Sequence, residues 1–335
     1  MEIVRHIHRT NLVKWAKDKP EVVVLSADLT GSVEIDLFRD TYPDRFYSMG
    51  MAEQNMLSFA GGLAREGYFP FVHTFAVFIY RRALDQLSMS IAYPNLPVRL
   101  FGFLPGITTP GGASHQATDD IAILRAIPNL TILECGDATD VESVLDAAHG
   151  VAGPVYVRML RGETPRLFDR AEPLRVGQSR QLSHGTDIAL FTSGICTEEA
   201  LRATVLLRAK GVSIEHLHIT THKPFADPVV RQALERATSG VITLENHTII
   251  GGLGSAIAET MAEIGSGKRL IRMGLKDTYA HGASRPYLMR EYGLDALALI
   301  GAFERLLGTS FGLTGDDLSA VRLEAVHSSA KAEAL

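Results

Sequence analysis

The feature that most constrains this chain is a series of short apolar runs that do not alternate with polar residues. Residues 21–28 read Glu21-Val22-Val23-Val24-Leu25-Ser26-Ala27-Asp28, with β-branched and aliphatic side chains in consecutive positions. A strand with one wet face alternates, so an unbroken run describes a strand covered on both faces, as in parallel sheets. Similar runs occur at 69–75, 98–103, 130–134 and 154–158, and an extended segment at 45–49 ends at Gly50. Helical patterns separate them, one near 3–18 (Ile3, Ile7, Leu12, Trp15) stopped by Pro20, another at 78–92 closed by Pro94. Strands and helices alternating in this way predict right-handed βαβ crossovers. A polar stretch from Arg161 to about Arg180, with Pro165, Pro173 and Gly177, interrupts the pattern. Beyond it strands are expected at 187–192, 212–217, 241–245 and 269–273, with a helix from near Thr197. The expected fold class is therefore α/β, with two doubly wound, mostly parallel domains. Their bounds are 1–162 and 183–325, with a linker at 163–182 and an Ala/Glu/Ser-rich tail at 326–335.

A length of 335 residues is enough to bury two cores. The net charge of -5 gives no attraction to nucleic acid or an anionic membrane. Two cysteines, Cys135 and Cys196, make no disulfide framework and read as small buried residues of a reducing compartment. The most apolar stretch, 69–80, is too short to span a bilayer, contains His73 and ends at Arg81-Arg82. The first residues lack the apolar core of a signal peptide. The expectation is a soluble cytoplasmic protein with neither nucleic acid nor membrane as partner.

The chemistry centres on Ser48-Met49-Gly50-Met51-Ala52-Glu53-Gln54-Asn55-Met56, which runs into an Ala- and Gly-rich helix. Glu53 stands in its first turn, either as a surface answer to the helix dipole or as a buried carboxyl with a task. The segment resembles the pyrimidine-binding domain of transketolases and the related deoxyxylulose-phosphate synthases, and the resemblance continues along nearly the whole chain. It implies that Glu53 hydrogen-bonds the aminopyrimidine of thiamine diphosphate, a task that needs a carboxyl able to share a proton, which desolvation can arrange. Phe75-Ala76-Val77-Phe78 resembles the family's Phe-x-x-Phe pair, which gives the pyrimidine a flat wall, although two phenylalanines at a strand end are ordinarily core. Asp28, in the loop at the end of the first strand, is a further expected cofactor contact. Gly111-Gly112-Ala113-Ser114-His115-Gln116 resembles the family's Asp-Gly-x-Thr-His-Gln loop, so His115 would meet the donor's carbonyl or adjacent hydroxyl. Arg161, Ser32 and Arg5 match the sugar-phosphate clamp, where a guanidinium fork suits clustered anionic oxygens.

Two positions depart from the family pattern. Gly111 stands where transketolases carry an aspartate, and Phe103 where they often carry a substrate-binding histidine. Both changes are expected to remove polar groups from the sugar pocket, so that Gly111→Asp and Phe103→His would raise activity on ordinary pentose phosphates. Gly251-Gly252-Leu253-Gly254 lacks a P-loop ending. With Glu245 and His247 it resembles the Glu-x-His-x-x-x-Gly-Gly-Leu-Gly segment of the transketolase C-terminal domain, where close packing is the expected role.

The Gly-Asp-Gly…Asn signature for the metal and diphosphate is missing, since Gly136-Asp137-Ala138 does not fit it. The resemblance therefore implies half of a split transketolase. It would hold no metal of its own and share thiamine diphosphate with an N-terminal-type subunit that binds Mg2+ or Ca2+, in an α2β2 assembly. The expected reaction moves a two-carbon ketol unit from an anionic ketose to an aldose. The alternatives are a β-type subunit of a 2-oxo acid dehydrogenase, a deoxyxylulose-phosphate-synthase-like enzyme, and a non-catalytic partner.

Overall fold

The first half of the chain forms strands β1 (Ile3–Arg5), β2 (Val22–Ser26), β3 (Phe46–Ser48), β4 (Phe69–Phe75), β5 (Arg99–Phe103), β6 (Thr131–Glu134), β7 (Val155–Met159) and β8 (Glu163–Pro165). The second half adds β9 (Arg180–Ser183), β10 (Ile188–Ser193), β11 (Ile214–Ile219), β12 (Thr221–Lys223), β13 (Gly240–Thr248) and β14 (Leu270–Leu275). These come from a computed structural model that describes residues 2–321, so the expected tail at 326–335 lies outside the described residues.

A seven-stranded sheet has the order β12-β6-β7-β5-β4-β2-β3 and is parallel except for β12. A five-stranded sheet, β14-β13-β10-β11-β9, is parallel except for β9. The non-alternating runs behave as their composition requires, with every residue of β2, β5, β7, β10 and β11 buried. In the second sheet neighbouring residues feed opposite faces, as the two-residue period dictates. Leu190 and Ile242 join a cluster with Phe303, while Phe191 and Val241 join one with Leu217 and Ile257. Cys135 and Cys196 are free and buried.

The expected helix near 3–18 is corrected at its start. Residues 3–5 pair antiparallel with β8, His6 turns through a left-handed φ of 47°, and the helix occupies only Ile7–Trp15. The stretch 163–182 is pinned rather than loose. Arg166 bonds Glu2 and Glu142, both at 2.7 Å, and Asp137 accepts the backbone N–H groups of Leu167 and Phe168. Past that stretch, β12 returns to the first sheet as an edge beside β6.

The two halves meet over a wholly buried charge network. Arg158 on β7 donates from Nε to Asp120 (2.9 Å), from Nη1 to Glu134, and from Nη2 to the carbonyls of Asn246 (3.0 Å) and Ala117. His222 lies 2.7 Å from the other oxygen of Glu134, and the Tyr156 hydroxyl donates to Asp120. Burial alone would raise the Glu134 carboxyl, yet Arg158 and His222 hold it down at about 2.

Candidate active site

Because β7, β5, β4, β2 and β3 are adjacent and parallel, the loops after them share the carboxyl edge of one sheet, where open α/β sheets bind ligands. Those loops carry Arg161, His115, Phe78, Ser32 and Glu53.

Glu53 opens the helix Glu53–Arg65 and is only 1% exposed. The helix lies tight against segment 78–92, for a Cβ at Gly61 would fall 2.6 Å from the Ser90 carbonyl oxygen. That close approach brings Arg82 to Glu53, with Nη1 donating to Oε2 at 2.6 Å. Oε1 is buried and has no hydrogen-bond partner among the described residues. The Arg82 guanidinium also stands 4.3 Å from the centre of the Phe78 ring, so one cation orders both an acid and an aromatic wall. Phe78 begins a π-helical turn, Phe78–Arg82, of the kind frequent at functional sites.

Phe78 is half-buried and stacks on the fully buried Phe75, with centroids 6.0 Å apart and planes at 22°. His115 meets both rings edge-on, at 5.6 Å from Phe78 and 6.2 Å from Phe75. Ser114 Oγ lies 2.9 Å from its Nδ1, which leaves Nε2 without a protein partner among the described residues. Arg161 reaches across Phe75, 5.7 Å from its centroid, and donates to the Ser32 carbonyl oxygen at 2.7 Å. Contacts thus run continuously from Glu53 through Arg82, Phe78, Phe75 and His115 to Arg161 and Ser32.

Three expected residues stand apart from that chain of contacts. Arg5 is exposed in the ribbon of β1 and β8 and pairs with Glu163 at 2.5 Å. Asp28 is exposed just past the end of β2, without an ion pair among the described residues. Phe103 is wholly buried, its ring contacts being with His8 and His73, so it packs in the core rather than lining a sugar pocket. Phe101, two residues earlier on the same face, meets the same two histidines. Gly111 does belong to the site. A Cβ there would lie 3.0–3.3 Å from the His115 side chain, so an aspartate would need the imidazole to yield by a few tenths of an ångström. Gly111→Asp would therefore act directly beside His115, and Phe103→His inside the core.

Arg82 and Ser114 were not singled out from sequence. The spacing Phe78…Arg82, one helical turn, was the available signal for the first. The glycine-rich turn packs as expected. Glu245 accepts the N–H groups of Leu253 and Gly254 at 2.7 and 2.9 Å, filling the helix start that an anion would otherwise use.

The fold and site define an α/β protein that presents an unsatisfied acid beside an aromatic wall at a sheet edge. Residues 4–166 match the transketolase pyrimidine-binding domain and residues 177–299 the transketolase C-terminal domain. The chain belongs to the transketolase family. It is 39% identical over 294 residues to the transketolase family protein y4mN of Sinorhizobium fredii, covering 87% of this chain and 85% of that one. It is 35% identical to the 6-deoxy-6-sulfo-D-fructose transketolase subunit SqwH of a Clostridium species, covering 87% and 90%. A solved chain described as a split gene transketolase, inactive β4 tetramer, superposes with a TM-score of 0.82 at 34% identity, covering 90% and 97%. No helix among the described residues is long and apolar enough to cross a membrane.

Proposed function

We propose that this chain is the pyrimidine-binding half of a split, thiamine diphosphate-dependent transketolase. It would transfer a two-carbon ketol unit from an anionic ketose to an aldose only when joined to an N-terminal-type subunit. The observation that carries the reading is the buried, unpartnered Oε1 of Glu53, whose other oxygen is held by the arginine that also lies over Phe78. A buried, unpartnered carboxylate oxygen is costly unless a ligand completes it, and a pyrimidine ring nitrogen is a fitting complement. The residues present therefore fit the pyrimidine end of the cofactor, which when bound supplies the carbon–carbon chemistry.

The chain's own part is to bind, orient and shield. Glu53 Oε1 holds a proton or hydrogen bond at the ring nitrogen, while Arg82 fixes its other oxygen. Phe78, backed by Phe75, gives the ring a flat apolar face and keeps water from it. His115 presents Nε2 to a substrate oxygen, and Arg161 with Ser32 offers the anion-binding end. The diphosphate and its Mg2+ or Ca2+ are assigned to the partner subunit, in a cytoplasmic α2β2 assembly. The domain bounds in this reading are 1–162 and 183–325.

The test is ketol transfer by the reconstituted two-subunit enzyme, screened over phosphorylated and sulfonated ketoses. Glu53→Gln should lower kcat by at least about 100-fold, some 2.7 kcal/mol of barrier, with the assembly intact. Full activity in Glu53→Gln would point instead to a non-catalytic partner subunit.

A further inference from the structure

We propose that Asn246, in the C-terminal half, is a positioning residue for His115. The inference rests on the reading of His115 given above. The loop that carries His115 leaves β5 through a turn in which Leu104 and Gly106 both have a φ of +59°, a region that L-residues enter only where their surroundings impose it. Asn246 grips that turn from β13. Its Nδ2 donates to the Pro105 carbonyl at 3.1 Å and its Oδ1 accepts the Ile107 N–H at 2.9 Å, with the side chain only 1% exposed.

Residue 106 has to be glycine here, because a Cβ would fall 2.2 Å from Asn246 Oδ1. The same turn closes the neck of the loop, since Gly106 N–H donates to the Ala117 carbonyl at 2.8 Å. One residue on, the Thr248 N–H donates to the Thr118 carbonyl at 2.7 Å. Gln116 adds a tie from Nε2 to the His281 carbonyl at 3.3 Å. Residues 107–116, which include His115, are therefore fastened at both ends to the C-terminal half, and Asn246 grips the neck through both atoms of its amide. The ring of His115 keeps its edge-on seat against Phe78 because this neck is closed.

The test is a double-mutant cycle on the reconstituted enzyme, with hydrogen–deuterium exchange as a readout independent of activity. Asn246→Ala should lower kcat about 10–100-fold with a smaller change in KM, the scale of loss that a shift of about 1 Å produces. In a His115→Ala background the same change should cost no more than about two-fold, because both act through one imidazole. Exchange should rise over 107–116 and stay unchanged in β5 and β13. Asn246→Ser keeps a small uncharged hydroxyl at the turn, whereas aspartate would set a carboxylate oxygen against the Pro105 carbonyl, so the serine variant should give an intermediate loss even where the alanine variant folds poorly. Losses that multiply fully in the double variant, or an unchanged kcat in Asn246→Ala, would overturn the role of Asn246. A His115→Ala enzyme with undiminished kcat would instead overturn the assignment of His115, and this inference with it.

Discussion

Two carboxylates in this molecule, each paired with an arginine, are alike in burial and differ in completeness. Glu53 and Glu134 are each 1% exposed and each is bonded to an arginine. Glu134 has both oxygens taken, by Arg158 and His222, and every nitrogen of Arg158 donates. Glu53 has one oxygen bonded and one bare, and its Arg82 is 41% exposed. A buried polar atom left without a partner costs about 1–3 kcal/mol. Asp120 Oδ1 beside Arg158 is bare too, and what sets Glu53 apart is its place at the carboxyl edge of the sheet, with an arginine it shares with Phe78. The saturated pair joins the two halves of the chain, and the unsaturated one shares its arginine with Phe78.

The comparison can be broken first at its structural end. Arg158→Met should cost about 3–5 kcal/mol, since it leaves Asp120 and Glu134 buried without their cation. Chemical denaturation of the isolated chain would show it as a lowered midpoint. A change under 1 kcal/mol would mean that the network does not hold the halves together.

Acid should reach a third kind of buried pair. The Phe71 carbonyl accepts from His73 Nδ1–H, so His73 Nε2 accepts from His8 Nε2–H across 3.0 Å, and both imidazoles are neutral. Burial lowers His8 to about 3, and burial together with His8 lowers His73 well below its ordinary value. Both folded values lie under the unfolded value of 6.5. The unfolded chain therefore binds more protons in that window, and the stability is fully present above pH 6.5 and declines as pH falls towards 3. The slope is about 1.4 kcal/mol per pH unit for each proton, and a His8→Phe/His73→Phe variant should flatten it. An unchanged slope would show that other groups carry the acid response.

The smallest stability effect belongs to the site itself. Glu53→Gln should move the unfolding free energy by no more than about 1 kcal/mol, because one oxygen is already unpaired and Arg82 is partly solvated. A loss comparable to that of Arg158→Met would erase the distinction between the two pairs.

Much of this was legible in the sequence, and the exceptions have physical causes. The buried parallel strands announced themselves because a run covered on both faces needs no partner to be recognised. The ribbon of β1 and β8 and the edge strands β9 and β12 are three or four residues long and owe their form to pairing with distant chain. Glu53, Phe78 and His115 carried motifs. Arg82 did not, since its contact with Glu53 exists only once helix 53–65 lies against segment 78–92. The resemblance put Phe103 by the pocket, but its ring meets His8 and His73, and the contact with His8 comes from a helix that no pattern around Phe103 reveals. Asn246 was hidden because its partners are backbone atoms nearly half a chain away.

The central claim is that Glu53 completes a cofactor held between this chain and another. Native mass spectrometry of the tagged chain drawn from its own cells tests it most directly. The account predicts a complex with a protein of similar or smaller size that carries two thiamine diphosphates per tetramer. A lone homo-oligomer that stays free of cofactor after thiamine diphosphate and Mg2+ are added would contradict it.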